Sequence, residues 1–306
     1  VTAPSYLITG ANGFLGRHLR RRLPPERTVC IDSFISSERV MGVRDMDVTT
    51  TAFLNATRKW VTESDAPVIF HLAGIASPYH YRKHPFQALD ASIAGTRNVL
   101  EAALLRPGTR VVVMSSSEIY GDPPSANVPT PESYRGNVSC LGPRACYDEG
   151  KRVAETLCQL YAERHGVNVS IVRPFNVYGP GMAANDYRVM PQLREAKRLG
   201  QALKVYGSGK QTRTFCYVDD AIDGILLVAD KGRAGEPYNI GNPDPEIAMT
   251  ELCLVAGVPF ELVPYPPAYP GDEPMRRCPD IGKARAIGYE PKVTLSEGLG
   301  RFFDAG

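Results

Sequence analysis

The chain has 306 residues, 43% of them hydrophobic, and a formal net charge of +2 at pH 7. That length suits one large domain, or two smaller ones sharing a core. The near-neutral charge asks for neither nucleic acid nor an anionic membrane as partner, and no apolar run approaches the roughly 18–20 residues that span a bilayer. A strand-like run begins almost at the first residue, so no signal peptide is expected. The seven cysteines (Cys30, Cys140, Cys146, Cys158, Cys216, Cys253 and Cys278) are scattered, without C-x-x-C spacing. They read as reduced thiols of a cytoplasmic protein. The five histidines are equally dispersed, so no metal site is expected.

In chain order, strands are predicted at Tyr6–Thr9, Thr28–Ile31, Pro67–Leu72 and Arg110–Ser115. Helices are predicted from Phe14 to Leu23, Thr51 to Thr62, Pro85 to Leu105 and Ala145 to His165, and a strand follows at Val167–Arg173. This alternation is that of an α/β, doubly wound parallel sheet with helices on both faces. After Pro174 the rhythm loosens, with turn signals at Gly179-Pro180-Gly181 and Gly207-Ser208-Gly209. The Pro- and Tyr-rich stretch Phe260–Pro274 reads as an ordered loop, and an amphipathic helix covers Leu295–Phe303. The expected division is residues 1–174 as a nucleotide-binding domain and 175–306 as a smaller substrate lobe, with segments around 212–242 returning to the first.

Gly10-Ala11-Asn12-Gly13-Phe14-Leu15-Gly16 lies between the first strand and the first helix. Gly10 permits a tight turn, Gly13 a close approach to a pyrophosphate, and Gly16 close packing of helix on sheet. The free N–H groups of the helix start would meet the phosphates. Such a Rossmann-type fingerprint gains weight from its place in the βα unit. Asp32 ends the second strand, where a carboxylate can bind adenosine ribose hydroxyls and repel the extra phosphate of NADP. NAD is therefore the expected cofactor. Arg17, Arg20, Arg21 and Arg22 read as a solvated helix face. Asp47 and Val48 would bracket the adenine, and His71-Leu72-Ala73-Gly74 would pass the pyrophosphate and ribose.

Tyr147 and Lys151 form Y-x-x-x-K at the start of a helix, on one face. A phenol near pKa 10 is a poor base, but an ammonium and a positive nicotinamide would favour phenolate. Tyr147 could then take a proton from a sugar hydroxyl as hydride leaves for NAD, with Lys151 also holding the nicotinamide ribose. Ser115-Ser116-Ser117-Glu118 follows the fifth strand, at the end where such sheets place their ligand crevice. Ser116 could hydrogen-bond the reacting oxygen. Glu118 could do acid–base work, bind a sugar hydroxyl, or simply pair with a basic side chain.

Together these residues resemble the extended short-chain dehydrogenases. The stretch Gly142-Pro143-Arg144-Ala145-Cys146-Tyr147-Asp148-Glu149-Gly150-Lys151-Arg152 resembles the active-site segment of the UDP-glucuronate decarboxylases, also called UDP-xylose synthases. Further matching pieces are Ala76-Ser77-Pro78 with Tyr81, Phe175-Asn176, Asn185-Asp186 with Arg188, Val205-Tyr206-Gly207, Gln211-Thr212-Arg213, Asn239-Ile240-Gly241 and Arg277. The resemblance implies oxidation at C4, loss of CO2 from the 4-keto sugar, and reduction to UDP-xylose with NAD recycled. It implies Ser116 beside the reacting oxygen, and Glu118 and Arg277 around the acidic sugar and its decarboxylation. It also implies Ser77, Tyr81, Asn176, Arg188, Tyr206 and Arg213 on the UDP-sugar, and a homodimer through the helices near Pro85–Leu105 and Ala145–His165. Where related 4,6-dehydratases carry Asp-Glu, this chain has Ser117-Glu118. Serine lacks the acidity for elimination, which disfavours that reaction. The competing readings are a UDP-glucuronate 4-epimerase, another nucleotide-sugar epimerase or dehydratase, and a non-catalytic NAD- or sugar-nucleotide-binding module. Ser92 stands where the family carries an asparagine, so a cofactor contact differs there.

Overall fold

The computed structural model describes residues 3–183, 186–265 and 274–305. The chain opens with β1 (Ser5–Thr9), α1 (Phe14–Arg22), β2 (Thr28–Asp32), β3 (Arg44–Asp45), α2 (Thr51–Glu63) and β4 (Pro67–His71). It continues with α3 (Pro78–Lys83), α4 (Pro85–Asp90), α5 (Thr96–Ala103), β5 (Arg110–Met114), α6 (Ala145–His165) and β6 (Asn168–Pro174). Seven strands form the main sheet, in the order β11-β6-β5-β4-β1-β2-β3, where β11 is Pro237–Ile240. Every pairing in it is parallel. The order reverses between β1 and β4, so their carboxyl ends open a crevice at the switch point.

The strands are apolar on both faces, as a covered parallel sheet requires. Leu7, Ile31, Ile69, Val111, Val113 and Ile171 pack under α2, α5 and α6. Ile8, Phe70, Val112, Met114 and Val172 face the opposite way, into a larger cluster with Leu19 of α1. That cluster includes Ile222 and Ile225 of α8 (Val218–Lys231). Period-two alternation thus splits each strand between two cores. Arg22, at the solvent edge of α1, pairs with Asp223 of α8 at 2.7 Å.

The later elements are β7 (Val177–Tyr178), α7 (Val189–Leu199), β8 (Leu203–Tyr206), β9 (Thr212–Arg213), β10 (Cys216–Tyr217), β12 (Ile247–Ala248), α9 (Met249–Ala256), β13 (Phe260–Val263), β14 (Arg276–Arg277), α10 (Gly282–Ala286) and α11 (Leu295–Asp304). Within the stretch around 212–242, β11 joins the main sheet beside β6. β9 pairs instead with β12 and β14, and β10 with β7.

Two expectations are corrected. Pro85–Leu105 is not one α-helix: α4 and α5 are joined by a π turn at Ala91–Gly95. Ser92 Oγ donates to the Ala88 carbonyl at 3.0 Å, competing at the acceptor an α turn would use. The widened turn seats Gly95 against Val48, where a Cβ would lie 2.6 Å from Val48 Cγ2. Phe260–Pro274 does not begin as a loop, because Phe260–Val263 pairs in parallel with Leu203–Tyr206. Pro259 and Pro264 bound a short run of strand formers there. Residues 266–273 of that stretch, and Asn185 of the motif read above, lie outside the described residues.

Candidate active site

The glycine turn is built by contact. Gly10 has φ +68°, and a Cβ on it would lie 2.7 Å from Ala73 N. A Cβ on Gly16 would lie 2.2 Å from the Gly10 carbonyl oxygen, so α1 reaches β1 only through glycine. Gly13, the residue before α1, is extended, and a Cβ there would lie 3.2 Å from the same oxygen.

A cavity of about 200 Å³ opens beside this turn, lined by Gly10, Gly13, Asp32, Asp47, Val48, Leu72, Ala73 and Gly74. Asp32 accepts from Asn12 N at 2.9 Å and from Phe34 N at 2.8 Å, which fixes its carboxylate at the rim. Asn12 is drawn away from the cavity: its amide donates to Ser37 Oγ and the Glu38 carbonyl, pinning the loop after β2. Asp47 accepts from Thr49 N and Oγ1 just before α2. A crevice with a glycine cradle and a carboxylate at the end of β2 fits a dinucleotide.

A larger cavity, about 740 Å³, runs from Gly13, Phe14, Leu15 and Gly16 past Tyr147 to Tyr206. Tyr147 and Lys151 project from the first turns of α6 and are 6% and 5% exposed. Gly150 lets this helix approach Ser92, whose Cβ would lie 3.1 Å from an added Cβ. The Lys151 ammonium donates to the Met114 carbonyl at 2.7 Å and lies 5.9 Å from the Tyr147 ring centre. Burial lowers the Lys151 pKa to about 8. Burial also pushes the Tyr147 phenol up to about 12, against a hydrogen bond with Ser116. In the free protein the phenol is therefore protonated, and phenolate requires further positive charge. The Tyr147 ring stacks on Tyr81 of α3.

Glu118 sits in a short 3-10 turn, Ser117–Tyr120, that Ser116 caps by accepting from Glu118 N at 3.2 Å. Its two oxygens are clasped by Arg277 and Arg144. Burial works to raise the Glu118 pKa, but Arg277 and Arg144 win and hold it near 2. Glu118 is thus a fixed anion rather than a proton donor at neutral pH. Sequence reading passed over Arg144 as a site residue. Its signal was present: it stands three residues before Tyr147, one turn away on the same helix face.

The other expected contacts differ in how they are held. Asn176, at φ +40°, lines the larger cavity while its amide donates to the Thr214 carbonyl at 2.9 Å. Arg188 lines it too, with Nε and Nη2 on Asp186 at 2.9 and 2.6 Å. Arg213 donates to the Thr212 carbonyl, and Tyr206 stacks on Tyr265 at 5.7 Å. Ser77 precedes α3, with its hydroxyl buried and unpartnered among the described residues; Ala76 and Pro78 beside it line the cavity. Arg82 and Lys204, absent from the sequence reading, also line it.

The model of the NAD dependent epimerase/dehydratase family matches residues 6–241. The chain belongs to this family. NAD is accordingly its cofactor, as the glycine cradle and Asp32 lead one to expect. The chain is 39% identical over 305 residues to UDP-glucuronic acid decarboxylase 3 of Arabidopsis thaliana, covering 96% of this chain and 86% of that protein. Among solved structures it is similar to the UDP-glucose 4-epimerase of Thermotoga maritima with UDP-glucose, at 26% identity and TM-score 0.84 over 98% of both chains. It is also similar to the UDP-glucuronic acid 4-epimerase of Bacillus cereus in complex with UDP-glucuronic acid and NAD, at 26% identity and TM-score 0.80 over 98% of both. Among the described residues no helix is long and apolar enough to cross a membrane, and no cluster could hold a metal ion.

Proposed function

We propose that this epimerase/dehydratase-family enzyme decarboxylates UDP-glucuronate to UDP-xylose through a 4-keto sugar, with NAD recycled. The observation that carries this reading is the charge of the larger cavity. Among the described residues, Arg82, Arg144, Lys151, Arg188, Lys204, Arg213 and Arg277 line it against one carboxylate, Glu118. A ligand bearing a diphosphate at one end and a carboxylate at the other matches that distribution. The 39%-identical decarboxylase relative points the same way.

The glycine turn, Asp32, Asp47, Val48 and the Leu72–Gly74 backbone would hold NAD, and Lys151 would hold its ribose. Bound NAD would supply a reversible hydride acceptor for C4. Tyr147 would move the proton of the C4 hydroxyl, with Ser116 hydrogen-bonded to the same oxygen. Arg277 and Arg144 would bind the C6 carboxylate and stabilise charge as CO2 leaves; the enolate left behind would take a proton from water at C5 before C4 is reduced. Glu118 would keep both guanidiniums in place as a fixed anion, too weakly basic to take a proton at neutral pH. Asn176, Arg188, Arg213 and Tyr206 would serve the UDP end, and Ser77 and Tyr81 the sugar side.

The division into a cofactor domain, 1–174 with returns around 212–242, and a substrate lobe, 175–306, belongs to this reading. So does a homodimer through α4 and α6. Phe86 on α4 and Val153 and Leu160 on α6 are exposed apolar side chains, which supports it. Cytoplasmic residence is consistent with the seven unpaired thiols.

Mass spectrometry of UDP-glucuronate incubated with enzyme and NAD tests the reading. A nucleotide sugar lighter by CO2 supports it. A mass-neutral isomer supports the second reading, a 4-epimerase, which the similarity to the Bacillus cereus enzyme favours.

A further inference from the structure

Asp148, next to Tyr147 in α6, is 8% exposed and lies outside the residues lining the cavity. Its Oδ2 accepts from Arg144 Nε at 3.4 Å, while its Oδ1 has no partner among the described residues. Arg144 turns Nη2 to Glu118, and Glu118 turns its other oxygen to Arg277. The four side chains therefore alternate in charge, from Asp148 behind the wall to Arg277 in the cavity.

Burying a carboxylate with one oxygen unsatisfied is costly, and a small neutral residue would avoid the cost. Packing alone does not explain the acid. Its effect falls on Arg144. A guanidinium is a rigid planar fork, so holding Nε on one carboxylate and Nη2 on another sets the plane of the whole group. Without Asp148, Arg144 would keep one anchor and could swing about it. Burial raises the Asp148 carboxyl pKa to about 6, with Arg144 opposing and Glu118 reinforcing. Among the described residues, Glu118, Arg277, Tyr81 of α3, and Tyr147 and Cys146 of α6 are the other titratable groups that interact with it. Above that pH Asp148 is an anion.

We propose that Asp148 is a positioning residue: it orients Arg144 so that Arg144 and Arg277 present two guanidiniums to the carboxylate of a uronate-bearing nucleotide sugar. This rests on the proposed decarboxylase reading and extends it to the basis of acid-over-neutral sugar preference.

The test compares binding of UDP-glucuronate and UDP-glucose to the NAD-loaded enzyme by calorimetry at neutral pH. Asp148→Ala is expected to weaken UDP-glucuronate about ten-fold and to leave UDP-glucose within about two-fold, the pattern of a lost charge contact. Asp148→Asn keeps the shape and one acceptor oxygen, so it should lose less of the preference. If the alanine variant does not fold, the asparagine variant carries the comparison. Equal weakening of both ligands, or an unchanged preference, overturns the proposal. CO2 release by the wild-type enzyme is scored separately. Its absence would overturn the decarboxylase reading, and the binding contrast would still decide the role of Asp148.

Discussion

The Tyr81 ring stacks on the Tyr147 ring with centroids 5.4 Å apart and planes 12° from parallel. Tyr81 is 2% exposed, so α3 holds the candidate catalytic phenol by a buried ring face. Tyr81→Phe keeps the stack and should retain stability within about 1 kcal/mol and most of kcat. Tyr81→Ala empties the site and should cost about 3–5 kcal/mol in urea unfolding, with a fall in kcat. Equal kcat in the two variants would show that the stack does not position Tyr147.

Tyr147→Phe removes only the hydroxyl. If that oxygen moves the C4 proton, kcat should drop by about 10²–10⁴-fold. UDP-glucuronate binding by calorimetry should change little. A variant that loses binding and turnover alike would place Tyr147 in ligand binding instead.

Lys151 offers a pH test of stability. Its folded pKa is lowered from 10.5 to about 8, because burial disfavours the ammonium. Between those values the unfolded chain binds more protons, so stability rises with pH there. Below about 8 the full cost of burying the charge is present. Lys151→Met should therefore be inactive yet more stable than wild type at neutral pH, by about 1–3 kcal/mol. That advantage should fade as pH approaches 10.5. Denaturant unfolding across this range checks it. A less stable variant at neutral pH would mean that the hydrogen bond to the Met114 carbonyl outweighs the buried charge.

Two glycines make a matched pair. A Cβ on Gly16 would meet the Gly10 carbonyl oxygen at 2.2 Å, whereas nothing lies within 4 Å of a Cβ on Gly300 in α11. Gly16→Ala must push α1 off β1, costing about 1–3 kcal/mol and weakening NAD binding. Gly300→Ala should add about 0.5–1 kcal/mol, since alanine gives up less entropy in a helix. Thermal melts with and without NAD separate the two. Unimpaired NAD binding by Gly16→Ala would rule out the tight contact.

The first half of the chain was readable because its signals are local. Glycine spacing, apolar strand runs and turn residues place β1, α1, β2, β4, β5 and α6 within a residue or two. The misreadings occur where a distant partner decides. The helical pattern from Pro85 runs on, but its middle is a π turn in which Gly95 packs against the distant Val48. Phe260–Val263 is a strand only because Leu203–Tyr206 offers an edge.

The candidate site divides the same way. Tyr147 and Lys151 share a face by helical periodicity, so their pairing follows from spacing alone. The residue types that make up the glycine cradle were legible for the same reason. What Glu118 does was not. It lies between Ser117 and Ile119, and its charge state depends on Arg277, from a strand 159 positions away, and on Arg144, just before α6. Residue types near in sequence determined the cofactor and the hydride-transfer class. The reversal of strand order at β1 and β4, and the return of β14 to the cavity, decided which charges meet. Electrostatic energy depends on distance through space and on burial, and neither is written along the chain.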